Sequence, residues 1–352
     1  MTRVFLTYKK KSRIWELDFL RGVSIILMCF DHFFFDVYYL FYHWRTGGKF
    51  FSSLYRAAEF FFGYADDSIL IPLDKMQYAE FVFLGFILFS VTVAFLVKLI
   101  KEKGKPSYSA LKGFTLAFTS ISVCILAISF IQRFIGYKVV EGNSLREFIH
   151  TVILWIFFIL CGEGCYFSRS NVKRTLQISL CACAISLVTI LGERLFDMEG
   201  IAVRYGVLHM LAMSVCIFTL IQLACTALFK DPVKRKYAIS LTCFAVGVTV
   251  YAINQYLWTV DVVPNDALAW FHYKFGKNFH SADWFTLSEN LHRVLFGAAI
   301  APFVYPDRKS YVPKLSPLNK GVVCFLGRKT IWIVLLHQVI IYVLLACLDT
   351  LY

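Results

Sequence analysis

The first apolar segment of the chain reads Trp15-Glu-Leu-Asp-Phe-Leu-Arg-Gly-Val-Ser-Ile-Ile-Leu-Met-Cys-Phe-Asp-His-Phe-Phe-Phe-Asp36. It has the length of a membrane-spanning helix, yet Arg21 and His32 lie on one helical face about 16 Å apart, together with Asp18 and Asp36. Ionisable groups at membrane depth are costly and usually have a function. The segment therefore predicts a helix that carries a polar path into the bilayer.

The composition predicts a polytopic all-α membrane protein. Of the 352 residues, 59% are hydrophobic and only 17% are charged, with no long polar stretch, so residues 1–352 form one integral membrane domain. Windows of about twenty residues with few charges predict nine spans. These spans lie at 15–40, 78–100, 113–132, 148–167, 175–192, 205–229, 237–258, 287–305 and 329–348.

The charged residues predict the orientation of these spans. Five segments carry 23 of the 36 Lys and Arg residues but only three of the 23 acids, which places them and the N-terminus in the cytoplasm. These segments are 1–13, 98–112, 168–175, 230–236 and 306–329. The net charge of +13 thus reflects topology and attraction to anionic lipid, without a nucleic-acid partner. We expect a multi-pass protein of a cell membrane.

Two predicted outer loops are aromatic. Between 41 and 76, apolar residues recur at helical spacing beside Lys49, Arg56 and Glu59, which predicts an interfacial amphipathic helix after the first span. The loop 259–286 is rich in Trp, Phe, Tyr and His, which suits either a carbohydrate platform or anchoring at the membrane surface.

The remaining motifs narrow the chemistry. Ten of the eleven cysteines fall inside the predicted spans and none lies in a predicted outer loop, so neither disulfides nor a metal site is expected. The chain has no Gly-rich phosphate loop, HExxH, GxSxG or CxxC motif. Any chemistry must therefore depend on scattered polar groups inside the helix bundle, although a structural hydrogen bond is the commoner role of any one such group taken alone.

The polar groups are ordered as in a known family. Arg13-Ile-Trp-Glu-Leu-Asp-Phe-Leu-Arg-Gly22 followed by Asp31-His32 resembles the opening of bacterial relatives of heparan-alpha-glucosaminide N-acetyltransferase, within the wider transmembrane acyltransferase superfamily. In that superfamily an Arg-Gly pair precedes a functional His by this spacing, which here matches Arg21 and His32. Three further stretches resemble the family in the same order: 155–174, 203–210 and 325–338.

The chain also departs from the family pattern. The usual Ser-Gly-Ile-Ser after the fourth span is Cys161-Gly-Glu-Gly, and a Pro-rich stretch before the eighth span is replaced by residues 284–292. Residues 45–145 fall outside the resemblance and are predicted to be an inserted loop and helical hairpin.

The resemblance implies transfer of an acyl group, usually acetyl, from cytoplasmic acetyl-CoA to an extracytoplasmic sugar or envelope glycan. It implies that His32 acts as a general base or as an acyl-histidine, with Asp36 as the preferred partner and Asp31 as the weaker one. The donor phosphates would be held near the cytoplasmic face by basic groups. Asp18 lies on the same helical face as Arg21, the first of these groups along the chain. The proposed donor contacts are Arg21, Asp18, Lys173, Arg174 and Arg328.

Four more residues, His209, Arg204, His337 and Gln338, match family positions and either line the site or bridge helices. Two other functions stay open on sequence alone: a transporter or flippase for a small solute or lipid-linked sugar, and a non-catalytic membrane scaffold. The acceptor, the choice between O- and N-acylation, and homo-oligomerisation are not specified by the sequence.

Overall fold

The computed structural model describes residues 14–62, 144–196, 200–259, 266–272, 279–305, 310 and 313–352. Every regular element in these ranges is helical. In chain order they are α1 (Trp15–Tyr39), a 3-10 helix (Tyr42–Thr46), α2 (Lys49–Phe62), α3 (Ser144–Phe167), α4 (Asn171–Phe196), α5 (Val207–Leu228), α6 (Pro232–Thr259), a 3-10 helix (Asp266–Leu268), α7 (Leu287–Val304), a 3-10 helix (Pro313–Lys320), α8 (Val322–Arg328) and α9 (Thr330–Asp349).

The predicted all-helical polytopic fold is confirmed for the described ranges. Four helices there, α4, α5, α6 and α9, are long and apolar enough to cross a membrane. Helices α1, α3 and α7 occupy three more predicted spans, although α1 and α7 are interrupted by charged residues such as Asp18, Arg21 and Arg293. The predicted spans 78–100 and 113–132, and the basic segment 1–13, lie outside the described residues. The orientation across the membrane stays a prediction.

The helices belong to two compact units. The terminal unit contains α1, α2, α8 and α9, with described residues 14–62, 144–157, 310 and 313–352. The central unit contains α4 to α7, with described residues 158–196, 200–259, 266–272 and 279–305. Helix α3 contributes residues to both.

In the terminal unit, two glycines let α8 lie directly against the first half of α1. A Cβ atom on Gly22 would overlap the carbonyl group of Val323, and one on Gly327 would overlap the carbonyl oxygen of Asp18. The contact moves from residue 22 back to residue 18 along α1 as it moves from residue 323 forward to residue 327 along α8. Helix α8 therefore runs antiparallel to α1. The sequence predicted no helix between 306 and 329. Small residues that allow close backbone approach are typical of helix contacts in membranes.

The second half of α1 packs against α2 and α9 through a cluster of apolar side chains. Trp44 and Ala58 are fully buried at its centre, and Leu345 of α9 closes it. The amphipathic helix predicted between 41 and 76 is thus present as α2, and its buried face contains Tyr55 and Ala58. This cluster fixes the chain segment that follows α1. That segment contains His43, whose contacts are described below.

In the central unit, α7 is the core helix, because 15 of its 18 residues are buried. It packs against α5 and α6. It also meets α3 at two glycines, since Gly297 lies against the backbone of Ile159 and Gly162 against the backbone of Val294. The aromatic segment before α7 caps its first turn, because the carbonyls of Trp270 and Phe271 accept the N–H groups of residues 287 and 288, each at 3.2 Å.

The α1–α8 contact gives a first prediction. Gly22→Ala should destabilise the protein by about 1–3 kcal/mol, because the added methyl group overlaps backbone atoms that cannot rotate away. Gly48→Ala is the matched control, since a Cβ atom there has no neighbour within 4 Å. Thermal unfolding of the purified protein in detergent measures both. A melting temperature for Gly22→Ala equal to that of Gly48→Ala would contradict the close approach.

Candidate functional site

Arg21 and His32 of α1 have different surroundings. Arg21 lies near the start of the helix, where its guanidinium contacts the Asp18 carboxylate at 3.4 Å. Asp18 is buried and the Arg21 side chain is 18% exposed, so part of that side chain stays accessible. His32 lies about three turns further along, where α1 faces α9.

A hydrogen-bond chain links His32 to a buried carboxylate through an amide. The Gln338 side-chain NH2 group donates to both oxygens of Asp36, at 3.0 and 2.9 Å. The Gln338 Oε1 atom lies 2.9 Å from His32 Nδ1. Asp36 is 1% exposed. The sequence paired Asp36 with His32 directly; in the structure the link is indirect, with Gln338 of α9 between them.

This chain determines the tautomer of the histidine. A carboxylate accepts hydrogen bonds, so the Gln338 NH2 group must face Asp36 and its carbonyl oxygen must face His32. A carbonyl oxygen also only accepts, so His32 Nδ1 carries a proton and donates it. In the neutral ring, His32 Nε2 then has the free lone pair. The arrangement therefore orients His32 as a proton acceptor through Nε2.

His337 lies beside His32 and is held in the same tautomer. Its ring is edge-to-face with the His32 ring, with centroids 4.8 Å apart. His337 Nδ1 lies 3.1 Å from the carbonyl of Ile333 and 3.0 Å from that of Val334, so it must donate to them. Its Nε2 atom is buried and has no hydrogen-bond partner among the described residues. Asp31, although next to His32 in sequence, is not part of these hydrogen bonds.

A second histidine–carboxylate pair lies at the far end of the same two helices. His43 Nε2 and the Trp44 indole N–H both lie 2.6 Å from Asp349 Oδ1. The Tyr352 hydroxyl donates to the His43 carbonyl at 3.0 Å. His43 was not among the residues predicted for the site. The equal spacing, eleven residues from His32 to His43 and from Gln338 to Asp349, indicates this pair only once the His32–Gln338 contact is known.

In the central unit, His209 uses both ring nitrogens in structural contacts. The Gly206 N–H donates to His209 Nδ1 at 3.2 Å, so Nε2 carries the proton and points to the Ser186 hydroxyl at 3.1 Å. Ser186 in turn donates to the carbonyl of Val203 at 2.7 Å. His209 thus caps the start of α5 and ties it to α4, which favours the helix-bridging alternative for this residue.

Arg204 also joins segments of the central unit. Its guanidinium donates to Glu193 Oε1 and to the carbonyl of His280, each at 3.0 Å. The Ser281 hydroxyl accepts from the backbone N–H groups of Arg204 and Tyr205. These contacts hold the connection between α4 and α5 against the segment that precedes α7.

The proposed donor contacts divide between the units. Asp18, Arg21 and Arg328 belong to the terminal unit, and Arg328 donates to the carbonyl and side-chain oxygens of Asn319, at 2.9 and 3.1 Å. Lys173 and Arg174 belong to the central unit. The Lys173 side chain is exposed, and the Arg174 guanidinium lies 3.4 Å from Cys161 Sγ.

The segment 284–292, which departs from the family pattern, forms a buried polar stretch at the start of α7. The Ser288 hydroxyl donates to Asn254 Oδ1 at 3.1 Å, and Arg293 donates to Asn290 Oδ1 at 2.9 Å. His292 is 1% exposed, and its ring lies against the Tyr251 ring with centroids 4.9 Å apart and planes inclined by 58°. Polar groups are thus buried along α7, in the segment where the chain departs from the family pattern.

Among the described residues, no group of three or more His, Cys, Asp or Glu side chains could hold a metal ion. The ten cysteines in this part of the chain are all free thiols.

The fold and the site define a multi-pass membrane protein with a histidine–amide–carboxylate chain between α1 and α9. The chain belongs to the family of the heparan-alpha-glucosaminide N-acetyltransferase catalytic domain, whose model matches residues 13–77 and 110–339. Neither a curated protein nor a solved structure matches this chain. Membership indicates a membrane acetyltransferase. The unmatched residues 78–109 fall inside the segment 45–145, whose assignment as an insertion stays a prediction.

The hydrogen-bond chain generates a second prediction, a double-mutant cycle on Asp36→Asn and Gln338→Met. Gln338→Met alone removes the donors to a buried carboxylate and should lower stability by about 1–3 kcal/mol. Adding Asp36→Asn removes that charge. The double variant should therefore lose less free energy of unfolding than the two single variants lose in sum, and the difference should be about 0.5–3 kcal/mol. Denaturation in mixed detergent micelles gives the three values. Additive losses would show that Gln338 does not hold Asp36.

Proposed function

We propose that the protein transfers an acetyl group from cytoplasmic acetyl-CoA to a sugar or envelope glycan on the other side of the membrane, with His32 as the general base. The observation that carries this proposal is the chain of hydrogen bonds from Asp36 through Gln338 to His32 Nδ1. It leaves Nε2 with its lone pair, which the acceptor hydroxyl or amine needs.

The proposed step is ordinary acyl transfer. His32 Nε2 takes the proton of the acceptor group as its oxygen or nitrogen attacks the thioester carbonyl, the carbon–sulfur bond breaks, and the CoA sulfur leaves and takes up a proton. General-base assistance of this kind contributes a factor of about 100 to 10,000. The Asp36 charge, transmitted through the Gln338 amide, stabilises the imidazolium that forms. An acetyl-histidine intermediate at the same nitrogen is the competing mechanism.

The exposure of this face supports a route for substrates. His32 is half-buried and Gln338 is exposed, although both lie well inside helices of membrane-spanning length. Polar side chains at membrane depth avoid lipid and face bundle interiors or water-filled cavities. This α1–α9 surface is therefore suited to line a polar cavity into which both donor and acceptor could reach.

The direction of transfer follows from topology. CoA carries phosphates and cannot cross a bilayer, so the donor must bind at the cytoplasmic face, where the positive-inside rule puts the start of α1 and of α4. The acceptor would approach from the opposite side, where the aromatic residues 270, 271, 279 and 284 suit a sugar face. The His43–Asp349 pair, with a 2.6 Å contact, is a second candidate base at that outer end of α1.

Transport is the second candidate function. It would use the same exposed polar surface of α1 and α9 as a conduction path. Turnover distinguishes the two functions, because a transporter releases no free CoA from acetyl-CoA.

The experiment combines binding and turnover. Acetyl-CoA at millimolar concentration should raise the melting temperature of the detergent-solubilised protein, because a ligand that binds only the folded state stabilises it. Protein in proteoliposomes, supplied with acetyl-CoA and an envelope glycan extract, should release CoA and acetylate the glycan.

His32→Gln is the sharpest variant for the turnover assay. Glutamine cannot take up a proton at neutral pH, so donor protection should persist while turnover falls by about 100-fold or more. His43→Gln, assayed in parallel, decides between the two candidate bases. Unchanged turnover in His32→Gln would remove His32 from the mechanism, and absence of protection in the wild type would remove the acetyl-CoA donor.

A further inference from the structure

A second polar group lies within the central unit, where α3, α4 and α5 meet. Asn171, Arg174 and Thr175 share one face of the first turns of α4, being three and four residues apart. Cys161 and Cys165 of α3 and Gln222 of α5 contact this face. We call these six residues the α4-start cluster.

Asn171 has a buried oxygen without a partner. The residue is 4% exposed, and its side-chain NH2 group donates to the carbonyl of Cys165 at 2.9 Å and to Gln222 Oε1 at 3.0 Å. Because both partners only accept in these contacts, the amide cannot be turned round. Asn171 Oδ1 therefore faces away from them, and among the described residues it accepts no hydrogen bond.

Thr175, one turn later, has a buried hydroxyl that is also without a partner in the described part of the chain. Buried threonines and serines in helices commonly donate to the carbonyl four residues earlier. Several in this protein do so, at 2.6 to 2.9 Å: Thr189, Ser214, Thr219, Thr226 and Thr249. The Thr175 hydroxyl does not, so its hydrogen has no acceptor among the described residues.

Arg174 supplies the charge of the cluster. Its guanidinium has five N–H donors, and the hydrogen bond found for it within the described residues is the one to Cys161 Sγ. Lys173 is exposed beside it. The cluster also lies at the N-terminus of α4, a helix of 26 residues, where the helix dipole favours an anion.

The two unsatisfied polar atoms require an explanation, because each costs about 1–3 kcal/mol when buried alone. A ligand that satisfies them needs an N–H or O–H donor for the Asn171 oxygen and a donor or acceptor for the Thr175 hydroxyl. An anionic group on the same ligand would pair with Arg174. Inorganic phosphate keeps one or two O–H groups at neutral pH, so it offers a donor and an anion in one compact group. The phosphopantetheine arm of CoA offers two amides, a hydroxyl and a phosphate in one flexible chain.

We propose that the α4-start cluster binds the phosphopantetheine arm of the acyl-CoA donor, with Asn171 and Thr175 on its amide and hydroxyl groups and Arg174 on its phosphate. This inference rests on the proposed function, because it takes acyl-CoA as the donor. It adds Asn171 and Thr175, which the sequence did not mark, and it gives Arg174 a defined contact.

Thr175→Val is the informative variant. It keeps the shape of the side chain and removes a buried hydroxyl without a partner, so the melting temperature of the free protein should stay the same or rise. The Kd for CoA should increase about 3- to 10-fold, which corresponds to the loss of one hydrogen bond between neutral groups. Arg174→Gln, which loses a charged contact, should increase the Kd about 10- to 100-fold.

Isothermal titration of the full-length protein in detergent measures these constants with three probes: CoA, 4′-phosphopantetheine and 3′,5′-ADP. Thr175→Val should weaken the binding of CoA and of 4′-phosphopantetheine alike, and should leave 3′,5′-ADP, which lacks the arm, at its wild-type Kd. Ser240→Ala is the matched control, because it removes another buried hydroxyl of the central unit that has no described partner. It should change none of the three constants.

The outcomes separate this inference from the proposed function. Wild-type Kd values for CoA in both Thr175→Val and Arg174→Gln would overturn the cluster as the donor site and leave acetyl transfer standing. No binding of CoA to the wild type would overturn both. The inference would also be overturned, in favour of a lipid or phosphate site, by a third outcome. In that outcome the protein binds inorganic phosphate or short-chain phosphatidylglycerol through Arg174 and does not bind 4′-phosphopantetheine.

Discussion

The burial of Asp36 is the constraint on which the site depends. A carboxylate that is 1% exposed within a membrane helix needs donors, and the Gln338 amide supplies two hydrogen bonds to it. Once the amide faces Asp36, its carbonyl oxygen faces His32, and the tautomer of His32 follows. One interaction between α1 and α9 thus sets both the register of the two helices and the chemistry of the histidine.

Close helix contacts give this arrangement its rigidity. Gly22 and Gly327 bring α8 against the first half of α1, and the cluster around Trp44 packs α2 and α9 against the second half. Within the central unit, Gly162 and Gly297 do the same for α3 and α7. Without a hydrophobic driving force between helices in lipid, such close contacts and buried polar links are what hold helices together.

Much of the helical layout could be predicted from the sequence, because membrane spans are set by composition over about twenty residues. The helix α1, its polar stripe and the amphipathic helix α2 were all predicted from such patterns. The bridge by Gln338 could not be, because it joins residues 302 positions apart. The same holds for His43 with Asp349. Helix α8 is too short, and too close to charged residues, to give a hydropathy signal.

The orientation of the His32 ring is the most direct test of this account. Selective 15N labelling of histidine, with the His32 signals assigned by their absence in His32→Gln, distinguishes protonated from unprotonated ring nitrogens by solid-state NMR in lipid. The account predicts a proton on Nδ1 and a bare Nε2 in the wild type, with loss of this single tautomer in Gln338→Met. A proton on Nε2 of the neutral wild-type ring would contradict it.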